Sequence, residues 1–213
     1  MSDRRPATRL LLVRHGETEW NVARRFQGQT DSPLTERGRW QAQRLAERLR
    51  HVPISAVYSS DLERTLATAR VVAAPHGLPI VTAPAFREGH FGAYEGWTFA
   101  ELVERYGEAV TRWAADPLDL APPGGETLRQ LQARVAGFIR TTVERHAGET
   151  VLLVGHGGSV RAAVIEALGL DLRRFRSLRM DNTSLSIVES DNQFDVLLLF
   201  NDTAHLIDGA APA

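Results

Sequence analysis

Two histidines of this 213-residue sequence stand in the same local context, each between an apolar run and a glycine. The segments are LLLVRHGET, which carries His15, and VLLVGHGGS, which carries His156. Continuous apolar runs of this kind are typical of strands buried in open α/β sheets, where ligands bind beyond the carboxyl ends of the strands. We therefore predict that both imidazoles face one pocket. Each following glycine would let the backbone approach a ligand closely.

Two arginines fall near the same predicted edge of the sheet. Arg14 directly precedes His15, and Arg64 lies in the first turn of the helix predicted after the strand in VYSSDLERTLATA. Guanidinium groups pair well with phosphate oxygens, and the amides of Gly157 and Gly158 at a helix start would add anion donors. Nearby cations disfavour a protonated imidazole, which predicts a neutral, nucleophilic His15. All 25 basic residues are arginine, so Arg64 taken alone would be read as a surface helix residue.

Phosphoryl transfer also needs an acid that protonates the leaving oxygen. The candidate is Glu88, in the glycine- and aromatic-rich segment FREGHFGAYEG. Glu17 and Glu95 are rival carboxylates, and spacing alone does not decide between the three. The remaining histidines fall in predicted loops, caps and helix ends and are assigned no chemistry: His51, His76, His90, His146 and, as a structural hydrogen-bonding residue, His205. Asn182 is interpreted as a turn residue that opens a strand.

The elements that would position these residues alternate between strand and helix. Apolar runs predict strands at 10–13, 56–58, 80–81, 151–154, 184–188 and 196–200, the last two forming a hairpin around Asp191-Asn192. Helical spacing predicts helices at 37–50 after a Thr35 cap, at 61–74 after a Ser60 or Asp61 cap, at 126–146 and at 159–168. This alternation predicts an α/β fold, a three-layer sandwich in which a mostly parallel central sheet is flanked by helices.

The stretch from 87 to 123 interrupts the alternation. It is rich in glycine and aromatic residues, holds two short predicted helices at 99–106 and 108–115, and ends in a Pro-Pro-Gly-Gly cluster. We predict a small helical insertion over the site, within one domain spanning 1–213 that closes with a flexible tail at 209–213. Three aromatic residues either shape the leaving-group side or pack the insertion's own small core: Phe91, Tyr94 and Trp97.

Composition excludes several classes of function. There are no cysteines, so disulfides, thiolate nucleophiles and cysteine metal sites are excluded. No apolar run is long enough to span a bilayer, and the start MSDRRPATR lacks the pattern of a secretory signal, so we expect a cytoplasmic protein without a membrane partner. The formal net charge is −1 and the arginines are scattered among acids, which argues against a nucleic-acid partner. A homodimer is left open.

Taken together, four sequence blocks resemble the histidine phosphatase superfamily, the phosphoglycerate mutase-like group (branch 1), from residue 8 to residue 206. The blocks are RHGET with Asn21 nearby, SSDLERT, the Glu88 segment and GHG. The resemblance implies that His15 becomes a phosphohistidine, and that Glu88 is the proton donor and later the base for the hydrolytic water. The residues implied to hold the phosphoryl group are Arg14, Arg64 and His156.

The resemblance also extends to the residues around this centre. It implies phosphate contacts from Asn21 and from the backbone of Gly157, and a substrate-lining position for Gln27 and Gly28. No metal and no cofactor are expected, because arginines and amides would neutralise the charge that a cation otherwise carries.

The choice between phosphatase and mutase depends on basic groups that the chain lacks. Mutases of this family hold phosphoglycerate with a lysine and an arginine pair, whereas this sequence has no lysine and only Arg112 in the corresponding region. The segments PPGGET and NDTAHL resemble the phosphatase branch. We therefore predict a phosphatase for small-molecule phosphate monoesters, with a cofactor-dependent phosphoglycerate mutase as the alternative. A phosphate-binding module without turnover and a metal site built from His15, His156 and Glu88 are further alternatives.

Overall fold

A six-stranded mixed sheet forms the centre of the molecule. The computed structural model describes residues 6–191 and 193–207. The strands are β1 (Thr8–Arg14), β2 (Ala56–Ser59), β3 (Ile80–Thr82), β4 (Thr150–Gly155), β5 (Leu185–Ser190) and β6 (Asp195–Asp202). They lie in the order β3-β2-β4-β1-β5-β6, with β1 to β4 parallel and β5 and β6 antiparallel to their neighbours. Each of the six strands was predicted; the Asn192 of the predicted hairpin turn lies outside the described residues.

Helices cover both faces of this sheet. They are α1 (Glu19–Val22), α2 (Glu36–Leu49), α3 (Glu63–Ala73), α4 (Phe99–Tyr106), α5 (Glu108–Ala115), α6 (Leu128–Arg145) and α7 (Gly157–Ala167), with short 3₁₀ turns between several of them. None of the helices in the described part of the chain combines the length and the apolar composition that crossing a bilayer requires.

Side chains of β1 alternate between two separate cores. Leu10 and Leu12 pack with β4, α6 and α7, whereas Leu11 and Val13 pack on the other face with α2 and α3. Because successive side chains of a strand point to opposite faces, a strand that is apolar at every position must be covered on both sides. The α/β sandwich predicted from the alternation of elements is therefore confirmed.

The start of α3 differs from its prediction. Neither Ser60 nor Asp61 caps it, since the residue at the cap position is Leu62. The Ser60 hydroxyl contacts His156, and the Asp61 carboxylate accepts two hydrogen bonds from Arg87. The amides of Glu63 and Arg64 in the first turn donate instead to the carboxylate of Asp31, which lies in a loop distant in sequence.

The insertion has a small core of its own. Tyr94, Leu102, Val110 and Trp113 are buried together between the 92–94 turn, α4 and α5. The insertion is attached to the body of the protein by backbone hydrogen bonds and by a two-pronged ion pair from Arg25 to Glu101. The two short helices lie where the sequence predicts them. The predicted flexible tail at 209–213 lies outside the described residues.

Candidate active site

The two histidines meet because their strands are neighbours in register. Arg14 of β1 pairs with Gly155 of β4, so the next residue of each strand leaves the sheet at the same level. The amide of His15 donates to the Gly155 carbonyl at 2.9 Å. The rings of His15 and His156 are both buried, edge to face, with centroids 5.3 Å apart.

Hydrogen bonding fixes which nitrogen of His15 keeps a free lone pair. Its Nδ1 lies 2.7 Å from the carbonyl oxygen of Gly16. A carbonyl only accepts, so Nδ1 must carry the proton and Nε2 keeps its lone pair. Burial, followed by the charges of Arg64 and Arg14, lowers the pKa of His15 well below its usual value. The imidazole is therefore neutral at neutral pH, with Nε2 unprotonated.

His156 is held from the other side, by the residue that follows β2. Its Nε2 lies 2.9 Å from the Ser60 hydroxyl, and its buried Nδ1 has no hydrogen-bond partner in the described residues. Burial is again the largest cause that lowers the pKa of this imidazole, with Arg64 next.

Two guanidinium groups flank the histidines and are anchored through only part of their donors. Arg14 donates through Nη1 to the Met180 carbonyl at 2.6 Å, and its Nε is buried without a partner among the described residues. Burial lowers the pKa of Arg14 to about 10, so the group stays charged at neutral pH. Arg64 is almost fully buried, and its Nε is likewise unpartnered in the described part of the chain.

Both Nη nitrogens of Arg64 are bound by one loop. Nη2 donates to the Gly28 carbonyl at 2.6 Å, and Nη1 donates to the Thr30 carbonyl at 2.9 Å and to Asp31 at 3.0 Å. The other oxygen of Asp31 accepts from the Glu63 amide at the start of α3. Asp31 thus replaces the local cap that the sequence predicted and orients Arg64 at the same time.

A cavity of about 140 Å³ is lined by Arg14, His15 and Arg64, and Gln27 and Gly28 form another part of its wall. Gln27 donates to the Thr18 hydroxyl at 2.7 Å, while its buried Oε1 has no partner in the described chain. Gly28 has a φ of +55°, and a Cβ there would lie 2.1 Å from a carboxylate oxygen of Glu95. Glycine suits this position because its backbone is left-handed and because a Cβ would displace the Glu95 carboxylate.

Asn21 also lines this cavity and is linked to His15 through a second amide. Asn182 donates to Asn21 Oδ1 at 3.1 Å and to the His15 carbonyl at 3.0 Å. Asn182 occupies a turn before β5, as the sequence indicates, but it also connects the strand end that carries His15 to a cavity residue.

Glu88 lies in the cavity with Arg14, His15 and Arg64. Its carboxylate accepts from the Gly89 amide at 2.9 Å and from the Gly158 amide at 3.0 Å. A Cβ on Gly158 would lie 1.9 Å from Glu88 Oε1. The second glycine after His156 therefore leaves room for the carboxylate. The Gly157 amide, at the start of α7, has no hydrogen bond to any described residue.

The two rival carboxylates are engaged elsewhere. Glu17 accepts from the Thr35 hydroxyl at 2.9 Å, beside the start of α2. Glu95 accepts hydrogen bonds from the backbone amides of Gln29, Thr30 and Phe91 and from the Thr30 hydroxyl. Neither is among the residues that line the cavity with His15.

His205 lies apart from the cavity. Its Nε2 is 3.3 Å from the Thr183 hydroxyl, and its Nδ1 is 3.3 Å from Arg48. Burial, with Arg48, lowers the pKa of His205 to about 4. Of the three aromatic residues of the insertion, Phe91 lines the cavity, whereas Tyr94 and Trp97 pack in the insertion's core.

Two residues of this arrangement were missed as functional candidates. Asp31 lies 33 positions before Arg64, and no local pattern reports a contact over that separation. Ser60 was considered only as a helix cap. Its position directly after a strand, as for His15 and His156, is the signal that could have identified it.

Comparison with known proteins identifies the family of the chain. The family model described as "Histidine phosphatase superfamily (branch 1)" matches residues 10–203. The chain is 37% identical over 198 residues to "Phosphoserine phosphatase 1" of Hydrogenobacter thermophilus, which covers 93% of this chain and 94% of that protein. It is 39% identical over 184 residues to "Probable phosphoglycerate mutase GpmB" of Photorhabdus laumondii, covering 84% of each.

A solved structure shows the same architecture. The structure of YhfR from Bacillus stearothermophilus superposes with a TM-score of 0.88 at 38% identity, covering 94% of this chain and all of the other. With a family model that spans nearly all of the described residues and relatives of this similarity, the chain belongs to the histidine phosphatase superfamily, branch 1.

Proposed function

We propose that this protein hydrolyses small-molecule phosphate monoesters through a phosphohistidine on Nε2 of His15. One observation carries the proposal. Three buried nitrogens without hydrogen-bond partners in the described residues surround the neutral imidazole: Arg14 Nε, Arg64 Nε and His156 Nδ1. Buried polar atoms normally have partners, so several orphans in one site indicate a ligand that supplies them. The ligand that suits two guanidinium groups is an oxyanion such as phosphate.

The first chemical step would transfer the phosphoryl group to the enzyme. Nε2 of His15 forms a bond to phosphorus while the bond from phosphorus to the alcohol oxygen breaks. Glu88, protonated in this step, gives its proton to the departing oxygen. The arginines and the free Gly157 amide stabilise the charge on the phosphoryl oxygens.

The second step would return the enzyme to its starting state. The Glu88 carboxylate accepts a proton from a water molecule, whose oxygen forms a bond to phosphorus as the bond to His15 breaks. Inorganic phosphate leaves, and Glu88 is again protonated. The insertion at 87–123, which carries Glu88 and Phe91, would cover the site within a single domain.

The proposal includes turnover without a metal ion, since the guanidinium groups of Arg14 and Arg64 supply positive charge beside His15. Activity that survives exhaustive treatment with a chelator and is inhibited by orthovanadate supports this. Activity that is lost with the chelator and restored by a divalent cation contradicts it.

Phosphoglycerate mutase is the second candidate, favoured by the name of the Photorhabdus relative. The absence of lysine from the sequence favours the phosphatase. A mutase must retain its intermediate while the phosphoryl group returns, and mutases of this family use a lysine among the groups that hold it. Incubation with 3-phosphoglycerate and a catalytic amount of 2,3-bisphosphoglycerate distinguishes them. Release of inorganic phosphate supports the phosphatase, and accumulation of 2-phosphoglycerate without phosphate release supports the mutase.

The direct test of the mechanism is to trap the phosphoenzyme. Rapid denaturation during turnover of a ³²P-labelled ester should leave an acid-labile, base-stable label on the wild type and none on His15→Asn. Label retained by His15→Asn would refute the assignment of the nucleophile.

A test of Glu88 uses two leaving groups: Glu88→Gln should slow an alkyl phosphate about 10²-fold or more, and an aryl phosphate far less, because a good leaving group needs little protonation.

A further inference from the structure

A second and larger cavity adjoins the one that holds His15. Its volume is about 240 Å³, and it shares Phe26, Glu88 and Phe91 with the first. Because Glu88 is the proposed donor to the departing alcohol, the space beyond it is where the alcohol half of a substrate would lie.

The wall of this second cavity is largely apolar. Trp113 of α5, Leu128 and Leu131 of α6, and Phe175 contribute side chains from three different parts of the chain. Such a wall would stabilise an apolar body, whose burial is worth about 25 cal/mol for each Å² removed from water. The cavity therefore suits an alcohol larger and less polar than a short polyol.

Two cations interrupt this wall, Arg161 and Arg176, and Arg176 donates through Nη1 to the Ala114 carbonyl at 2.7 Å. Arg161, on α7, donates through Nε to the Leu178 carbonyl at 2.6 Å, and its guanidinium carbon lies 5.5 Å from the centre of the Phe175 ring. Within the described residues its Nη1 and Nη2 have no hydrogen bond, and no carboxylate lies within ion-pair distance. Burial is the largest cause that lowers the pKa of Arg161.

The other acid in this wall is already paired. Glu126 accepts from Arg134 at 2.5 and 3.1 Å and from the His90 amide at 2.9 Å. The charges of Glu88 and Asp181 favour the protonated form of Arg161, but Glu88 is neutral in the proposed first step and Asp181 is not among the residues that line the cavity. Arg161 would then face the cavity with two free donors, while the remaining carboxylate of the wall, Glu126, is paired with Arg134.

We infer that Arg161 binds a carboxylate on the alcohol half of the substrate, so that the preferred substrates are phosphate esters of hydroxy acids with an apolar body. Two parallel Nη donors match the two oxygens of a carboxylate. The inference rests on the proposed phosphatase activity, because it assigns the leaving group of that reaction. Arg161 is a specificity-determining residue in this assignment.

The test compares two substrates that differ only in charge, 3-carboxyphenyl phosphate and 3-carbamoylphenyl phosphate. Wild type should show a kcat/KM for the carboxylate about tenfold above that for the carboxamide, the size expected of a charge-assisted hydrogen bond. Arg161→Gln should reduce the ratio to about one. Because Arg161 also lies near Glu88, any loss common to both substrates cancels in the ratio.

The matched control is Arg140→Gln, which changes an exposed arginine on α6 that lies outside both cavities. It should keep the wild-type ratio. A wild-type enzyme without preference for the carboxylate, or an Arg161→Gln variant that retains it, overturns the inference.

A binding measurement separates this inference from the activity on which it rests. Protein loaded with orthovanadate is titrated calorimetrically with 3-hydroxybenzoate and with 3-hydroxybenzamide. Tighter binding of the acid by wild type, lost in Arg161→Gln, supports the subsite even if no ester is hydrolysed. Equal binding of both alcohols by wild type overturns the subsite even if hydrolysis is rapid.

Discussion

The two His-Gly turns begin from nearly identical sequence and end in different surroundings. After His15 the chain continues through Gly16, where a Cβ would lie 2.5 Å from the backbone oxygen of Gly38 in α2. After His156 the chain enters α7 through Gly157, where a Cβ would meet only the Arg14 and Arg161 side chains at 3.5 Å or more. The first glycine is needed for backbone packing and the second faces the site. At Gly16 the close packing against Gly38 is thus a reason for glycine that the sequence did not indicate, and the approach of a ligand to both turns stays a prediction.

The imidazoles differ in the same way. His15 is bonded within its own turn, at Nδ1, which leaves Nε2 free. His156 is bonded at Nε2 to Ser60, across the sheet at the end of β2, which leaves Nδ1 without a partner among the described residues. The shared motif thus brings the two rings together, while the hydrogen-bond partner of each ring determines which of its nitrogens stays unbonded.

The largest expected effect separates the two histidines by activity. His15→Ala should abolish hydrolysis of an aryl phosphate, by about 10⁴-fold or more, because the attacking atom is removed. His156→Asn should cost about 10²- to 10³-fold, the effect of removing one donor to the developing charge. Both are measured as kcat/KM with circular dichroism as a control for folding. Equal losses would contradict the assignment of different roles.

The next effect separates the two glycines that follow His156. Gly158→Ala places a methyl group 1.9 Å from Glu88 Oε1, so the carboxylate must move, and we expect kcat to fall about 10²-fold. Gly157→Ala meets protein atoms only at 3.5 Å or more, so Glu88 stays in place. Its methyl group would face the proposed phosphoryl site, so we expect its loss mainly in KM, with a smaller fall in kcat. The comparison is made on an alkyl phosphate, for which the proton donor matters most. A larger fall in kcat for Gly157→Ala would show that displacement of Glu88 is not the cause.

A third comparison concerns stability. Gly16→Ala should lower the free energy of unfolding by about 2 kcal/mol, because the new methyl group meets backbone atoms of Gly38 that cannot rotate away. Gly157→Ala should change it by less than about 0.5 kcal/mol. Denaturant titration at pH 7.5 measures both. Similar values for the two variants would mean that the turns are packed alike.

The smallest effect appears in the pH dependence of stability. The pKa values of His15 and His156 are lowered by folding, so the unfolded chain binds more protons below its own imidazole pKa of about 6.5. This stabilisation is complete above that pH and is lost as the pH falls towards the folded values. Replacing His15 with Asn should flatten the profile between pH 6.5 and 5 by roughly 1.4 kcal/mol per pH unit. Parallel profiles for wild type and variant would contradict a neutral buried His15.

Strand ends were the part of the site that could be predicted from the sequence. A buried strand is visible as an apolar run, and parallel strands deliver whatever follows them to one edge of the sheet. For this reason the sequence alone is enough to group His15, His156 and Arg64. Contacts made by loops were not predictable in this way. Asp31 and Glu95 bind backbone amides of segments distant in sequence, and no periodicity reports such a contact.

Helix starts show the same limit. The side chains of Thr35 and Thr127 accept hydrogen bonds from first-turn amides of α2 and α6, so a local sequence rule applies to these two helices. At α3 the residues that resemble caps are used by His156 and Arg87, and a distant acid takes their place. A local rule fails where the tertiary structure offers its polar groups a different partner.

The loop that holds Arg64 is itself tied to the insertion by the Glu95 carboxylate and by the Gln29 side chain, which accepts from Arg87 and donates to the Glu88 carbonyl. The guanidinium proposed to bind phosphate and the region that would surround the alcohol are therefore connected through hydrogen bonds of Gln29 and Thr30. Any substrate that shifted the insertion outward would pull, through Gln29 and Thr30, on the carbonyl group that orients Arg64. An alcohol that fits badly would then also disturb the binding of the phosphoryl group at the opposite end of the same substrate.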